Sequence, residues 1–204
     1  MLIKILIFRT DRIGDLIFTC PTIISIKKYF KECDITLIAS NKNYDYAKSL
    51  NQFNNVIQFP RNSINKIKFI YNLYKTKFDY IFVFDGKERS VLTAACLKSK
   101  IKVALTNSIK FHYKLFKIKL FKDTENSNLN EIFQKMLDYS NIKTRIGNYN
   151  FIKNKSNNNF SNKIPMDQYI HIHLDEKWFS ELYIRSYTNI NPNYDDFIFL
   201  INSI

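Results

Sequence analysis

The apolar positions fall into short continuous runs separated by amphipathic stretches. Residues Leu2 to Phe8 are apolar except for Lys4, too continuous for a strand with one wet face. Such a run fits a strand covered on both sides, hence a parallel sheet. A helix containing Pro21 follows it. Asp34 to Ala39 reads as a second strand, Asn43 to Leu50 as a short helix, and Val56 to Phe59 as a third strand ended by Pro60. Ser63 is placed to cap a helix running to about Lys75, with Ile64, Ile67, Ile70 or Tyr71, and Tyr74 on its apolar stripe. Asp79 to Asp85 is the clearest buried strand, followed by a helix through Ala94, Ala95 and Leu97. Ile101 to Leu105 is another strand, and Leu129 to Tyr139 an amphipathic helix with Leu129, Ile132, Phe133, Met136 and Leu137 on one side. Strands alternating with helices predict an α/β fold: βαβ units, a parallel Rossmann-like sheet with helices on both faces, and right-handed crossovers.

From about Lys153 to Lys163 the pattern lapses into Asn, Lys and Ser. This predicts a first domain over 1–152, a linker over 153–168 and the beginning of a second domain over 169–204. The last segment opens with a strand at Tyr169–Leu174. It closes with a helix after Asn191-Pro192 whose stripe of Phe197, Ile198, Ile201 and Ile204 runs to the final residue. Some forty residues are too few for a nucleotide-binding domain, so the expectation is a truncated second domain.

Composition changes this picture little. Three glycines and four prolines in 204 residues argue against a sandwich of many tight turns. Cys20, Cys33 and Cys96 have neither metal-ligand nor disulfide spacing, so reduced, mostly buried thiols are expected. No run approaches the ~20 apolar residues of a membrane span, and the N-terminus lacks the features of a signal peptide. The net charge of +13 raises the question of an anionic partner. Between Lys110 and Lys122 lysines alternate with apolar and aromatic residues. A half-buried strand with a wet lysine face, contact with an anionic membrane, and binding of single-stranded nucleic acid all fit that spacing.

The candidate chemistry lies at strand ends. The turn Arg9-Thr10-Asp11-Arg12-Ile13-Gly14-Asp15 carries two arginines, two aspartates and one of the three glycines. It follows a buried parallel strand, where open α/β sheets bind ligands. Gly14 offers backbone freedom and close approach for a ligand. Asp15 sits where a helix dipole favours a carboxylate, so it reads either as a general base or as a first-turn acid of the helix. Arg9, Asp11 and Arg12 read either as a phosphate- or carboxylate-binding group or as an internal ion pair holding the loop. Asp85-Gly86-Lys87-Glu88-Arg89-Ser90 ends the strongest strand, with Arg89 as a candidate ligand contact and Ser90 as a helix cap. His171 and His173 share a strand face but have no third metal ligand at the right spacing. The dinucleotide fingerprint, the Gly-x-Ser-x-Gly elbow and the His-Glu-x-x-His motif are all absent from the chain.

The segment Ile5-Leu6-Ile7-Phe8-Arg9-Thr10-Asp11-Arg12-Ile13-Gly14-Asp15, with Pro21 six residues on, resembles the amino-terminal signature of glycosyltransferase family 9, the ADP-heptose:lipopolysaccharide heptosyltransferases and their relatives. The Asp85–Ser90 loop is similar to the family's Asp-x-x-Gly-x-x-Arg-Ser loop. The resemblance implies the N-terminal, acceptor-side half of a two-domain GT-B-type scaffold. It further implies inverting transfer from a nucleotide-sugar donor, ADP-heptose among the candidates, to a lipopolysaccharide-core or other lipid-linked glycan acceptor. In that reading Asp15 is the base, Arg9, Asp11, Arg12, Gly14 and Arg89 hold the acceptor, and Lys177, near Trp178, contacts donor phosphate. The family's Pro-Gly pair before that lysine is missing here. The resemblance calls for no metal and no cofactor beyond the donor. It suggests a cytoplasmic protein at the inner face of the membrane with no nucleic-acid partner. An inactive remnant and a basic nucleic-acid-binding α/β protein are the rival readings.

Overall fold

Among the described residues, six parallel strands lie side by side in the order β3-β2-β1-β4-β5-β6. They are β1 (Ile3–Arg9), β2 (Cys33–Ala39), β3 (Asn55–Gln58), β4 (Phe78–Val83), β5 (Ser99–Thr106) and β6 (Lys119–Lys122). The helices are α1 (Ile13–Tyr29), α2 (Tyr44–Ser49), α3 (Ser63–Tyr74), α4 (Glu88–Cys96) and α5 (Leu129–Tyr139). The structure, a computed structural model, describes residues 2–106, 117–122 and 128–147. The expected linker and second domain, with His171, His173 and Lys177, lie outside the described residues.

The continuous apolar runs follow from double coverage. Along β1, Ile5 and Ile7 join one apolar cluster with Leu16, Cys20 and Ile23 of α1 and Phe133, Met136 and Leu137 of α5. Leu6 and Phe8 point the other way, into a cluster with Leu73 of α3 and Val91 and Ala94 of α4. Successive strand residues face opposite sides, so only a sheet with helices on both faces buries all four. Phe82, Phe84 and Phe133 extend the first cluster through ring contacts of 5.6 and 4.7 Å between centroids. Pro21 lies inside α1, where it lacks the N–H that would bond the preceding turn.

Three expectations are corrected. The position before α3 is occupied by Asn62, and Ser63 is the first helical residue. The helix has two apolar stripes: Leu73, with Phe69 and Ile70 beside it, packs inward. The other stripe, Ile64, Ile67, Tyr71 and Tyr74, faces out. Periodicity identifies both stripes but not which one the sheet covers. Of the cysteines, Cys20 is buried, Cys33 half-buried and Cys96 exposed, and all three are free. Burial pushes the Cys20 thiol up to about 12. Of the basic segment, residues 107–116 lie outside the described residues, and its end forms β6, paired with β5 from Val103–Lys119 to Thr106–Lys122.

Strand order reverses at the centre of the sheet. From β1 the chain moves outward to β2 and β3, then returns to β4 on the other side of β1. The loops after β1 and β4 therefore start side by side and diverge to opposite faces, leaving a crevice at the carboxyl edge of the sheet. The two motif loops are thus central neighbours in the sheet.

Candidate functional site

Three loops meet at that crevice, and polar side chains stitch them together. Asp85, one residue beyond Phe84, accepts from the Thr10 N–H at 3.0 Å and the Thr10 hydroxyl at 2.6 Å through Oδ2. The same oxygen accepts from the Ser90 hydroxyl at 2.7 Å, and Oδ1 accepts from the Lys87 N–H at 3.1 Å. Ser90, expected as a helix cap, is instead a buried donor inside α4, and the cap position belongs to Lys87. Gly86 turns this loop with φ of 63°, the left-handed region that disfavours other residues.

The loop after β2 is tied in just as firmly. Asn43 is fully buried; its amide donates to the Arg9 carbonyl at 2.8 Å and its oxygen accepts from the Ser40 N–H at 2.8 Å. The Ser40 hydroxyl donates to the Asp11 carbonyl at 2.8 Å. No motif announces Ser40, Asn41, Lys42 and Asn43. Their signal is position, since they follow a central parallel strand at its carboxyl end.

Beneath the first loop lies Arg9, 4 % exposed. Its Nε donates to the Asp15 carbonyl at 3.0 Å and its Nη1 to the Phe84 carbonyl. Nε also lies 3.3 Å from Asp11 Oδ1, and Nη2 lies 3.7 Å from Asp15 Oδ1. Expected as a ligand contact, Arg9 has its polar groups turned into the protein, so the geometry supports its reading as the internal cation of the loop. Because Nε points its hydrogen at the Asp15 carbonyl, Asp11 Oδ1 is buried beside the guanidinium without a hydrogen bond. Burial pushes the Asp11 carboxyl up to about 6; Arg9 pulls against that, while Asp15 and Asp85 add to it.

Asp15 is in the first turn of α1 and reaches back, Oδ2 accepting from the Arg12 N–H at 3.2 Å. It therefore performs the helix-capping part of its expected pair of roles. Its side chain is nonetheless 47 % exposed and opens on the cleft. Gly14 lies within the helix rather than in a turn demanding unusual angles, and a Cβ added there would meet nothing within 4 Å. The conformational reading of this glycine does not hold; the space beside it is open, and Gly14 is not one of the residues that line the cleft.

The cleft itself is about 500 Å³. Thr10, Asp11, Arg12 and Asp15 line it from the first loop, Ser40, Asn41 and Lys42 from the second, and Lys87 and Arg89 from the third. Lys87 Nζ donates to the Thr10 carbonyl at 2.6 Å. Arg89 is held by the Thr10 hydroxyl oxygen at 3.3 Å and by the Phe59 ring, 5.2 Å from its guanidinium carbon. Four cations against two carboxylates at the rim favour an anionic ligand, and the fixed loops present those charges without reorganisation. Among the described residues no group of three or more His, Cys, Asp or Glu is arranged to hold a metal ion.

Comparison with known proteins gives a match in solved structures only; no family model and no curated protein matches. Among the similar structures are heptosyltransferases and a family 9 glycosyltransferase. E. coli heptosyltransferase WaaC with ADP superposes with a TM-score of 0.54 at 13 % identity, covering 68 % of this chain and 47 % of that one. The family 9 glycosyltransferase from Veillonella parvula DSM 2008 gives 0.55 at 16 %, covering 90 % and 49 %. E. coli ADP-heptose lps heptosyltransferase II gives 0.56 at 12 %, covering 92 % and 51 %. At these identities the likeness establishes the fold alone, a parallel α/β sheet covered by helices on both faces. The chain spans about half the length of the structures it matches.

Proposed function

We propose that this domain is the acceptor side of a glycosyltransferase of the heptosyltransferase type, acting at the inner face of the cytoplasmic membrane on a lipid-linked, phosphorylated glycan. The observation that carries the reading is Asp15: a carboxylate anchored at one oxygen by the Arg12 N–H, half-exposed, and facing a cleft rimmed by cations. Arg12, Lys42, Lys87 and Arg89 would pair with acceptor phosphates or carboxylates and bring a sugar hydroxyl to Asp15. As that oxygen bonds to the anomeric carbon of a nucleotide sugar, its proton passes to the Asp15 carboxylate. The bond from the anomeric carbon to the nucleotide phosphate breaks, and the nucleoside diphosphate leaves with the electron pair. ADP-heptose is the donor the similar structures suggest, since one of them is described with ADP and another with an ADP-2-deoxy-2-fluoro heptose.

Acceptor binding tests the reading directly. By titration calorimetry the protein should bind a phosphorylated lipopolysaccharide-core oligosaccharide and lose most of that affinity when the phosphates are removed. Arg12→Ala and Lys42→Ala, both at exposed rim positions, should each weaken binding by roughly tenfold. Equal affinity for the phosphorylated and dephosphorylated glycans, or affinity indifferent to both substitutions, would overturn it.

A further inference from the structure

Among the described residues, the outward stripe of α3 gathers four of the exposed large hydrophobic side chains. Ile64 is 82 % exposed, Ile67 72 %, Tyr71 58 % and Tyr74 43 %. At 3.6 residues per turn the four side chains fall within an arc of roughly 80°, so they form one face rather than scattered positions. The opposite side of the helix already holds Leu73 against the sheet, so this face is surplus to the core.

Charge identifies what it fits. From Arg61 to Lys77 the chain carries Arg61, Lys66, Lys68, Lys75 and Lys77 and not one acidic residue. Lys68 and Lys75 follow the stripe along one flank, and both are exposed. Lys75 Nζ sits 4.4 Å from the Tyr71 ring centroid and Lys98 Nζ 4.3 Å from that of Tyr74, placing ammonium groups at the border of the apolar strip. Exposed isoleucines flanked by tyrosines and lysines match the layered chemistry of an anionic bilayer: acyl chains below, headgroup phosphates above. Tyrosines and lysines bordering an apolar strip, with no acidic residue among them, are the arrangement found at the headgroup level of a bilayer, which favours a lipid surface as the occupant.

We infer that the outer face of α3 docks the protein on an anionic lipid bilayer. Because α3 follows the parallel strand β3, its first turn lies at the carboxyl edge of the sheet, the edge that carries the cleft. The inference takes from the proposed function only the expectation of a membrane, and its test contains neither donor nor acceptor, so the two fail separately.

The experiment is co-sedimentation with phosphatidylcholine vesicles with and without phosphatidylglycerol, at low and moderate salt. The protein should partition to the anionic vesicles, more weakly as salt rises. Ile64→Ser with Ile67→Ser should reduce partitioning by roughly tenfold or more with an unchanged thermal midpoint. Lys68→Gln with Lys75→Gln, which leaves the apolar stripe whole, should reduce it comparably and flatten its salt dependence. Partitioning that survives the isoleucine substitutions at full strength would overturn the inference. So would failure of the unaltered protein to partition, or a stripe-dependent dimer in analytical sedimentation that excludes vesicles.

Discussion

Thr10 and Asp85 are joined twice, backbone N–H to carboxylate at 3.0 Å and hydroxyl to the same oxygen at 2.6 Å, across 75 positions of sequence. Thr10 directly follows β1 and Asp85 lies two residues past the end of β4, on either side of the sheet's reversal point. Their union closes the floor of the crevice while the chains above it diverge. The cleft is thus held by its own base, and the charged rim is mounted on a fixed platform.

Removing that floor should cost stability. Asp85 accepts from Thr10, Ser90 and Lys87, so Asp85→Ala leaves several buried or half-buried donors unpaired. The expected loss is about 2–4 kcal/mol in urea unfolding. Thr10→Val removes only the hydroxyl and should cost about 1 kcal/mol. Similar small losses from both would mean that water replaces the carboxylate readily.

Asp11 should make the fold sensitive to pH near neutrality. Its folded pKa of about 6 lies above the ordinary aspartate value of 3.8, so the fold holds this proton more tightly than the unfolded chain does. The stabilisation from protonation is complete below pH ~4 and is lost as pH rises through about 6. Asp11→Asn should therefore raise the unfolding midpoint at pH 8 and give little advantage at pH 4, as read by thermal melts across that range. A gain that is the same at both ends would assign the effect to packing rather than charge.

Much of this fold is legible in the chain because burial on both faces writes unmistakable runs such as Ile5–Phe8 and Ile81–Phe84. The amphipathic helix Leu129–Tyr139 is equally clear, since its single stripe has only one way to face. α3 is not, because a helix with apolar residues on two sides leaves the choice to the sheet it meets. At the site, the motif residues Asp15 and Arg89 do reach the cleft, and Arg12 with them. Arg9 does not, since nothing in the local sequence says that a cation after a buried strand will be swallowed by the carbonyls of Asp15 and Phe84. Lys42 and Lys87 escape notice for the opposite reason: lysine is so common here that only strand order singles them out.

The glycines make a controlled pair. Gly86 has φ of 63°, so Gly86→Ala should destabilise by about 1 kcal/mol or more through backbone strain alone. Gly14 is helical with open space where a Cβ would go, so Gly14→Ala should be neutral or stabilise by up to about 1 kcal/mol. If the space above Gly14 belongs to the acceptor, the same variant should bind the phosphorylated glycan more weakly while melting no lower. Undiminished binding would leave Gly14 without a ligand role.

Asp15 has two duties that one substitution can separate. As a first-turn acid it accepts the Arg12 N–H and complements the helix dipole, a contribution of about 0.3–1 kcal/mol. As a base it must carry a full negative charge that takes up a proton, which an amide cannot do. Asp15→Asn keeps an oxygen able to accept from Arg12, so unfolding should shift by no more than that amount. Acceptor affinity should hold, because the cationic rim is untouched. Transfer from a nucleotide sugar, measured wherever this domain is joined to a competent donor site, should fall by a factor on the order of 10²–10⁴. Asp15→Ala should fall as far in transfer and further in stability, because it loses the cap as well. Were the asparagine variant to turn over at the unaltered rate, Asp15 would be a helix cap and the base would have to be sought in the other carboxylate of the cleft, Asp11.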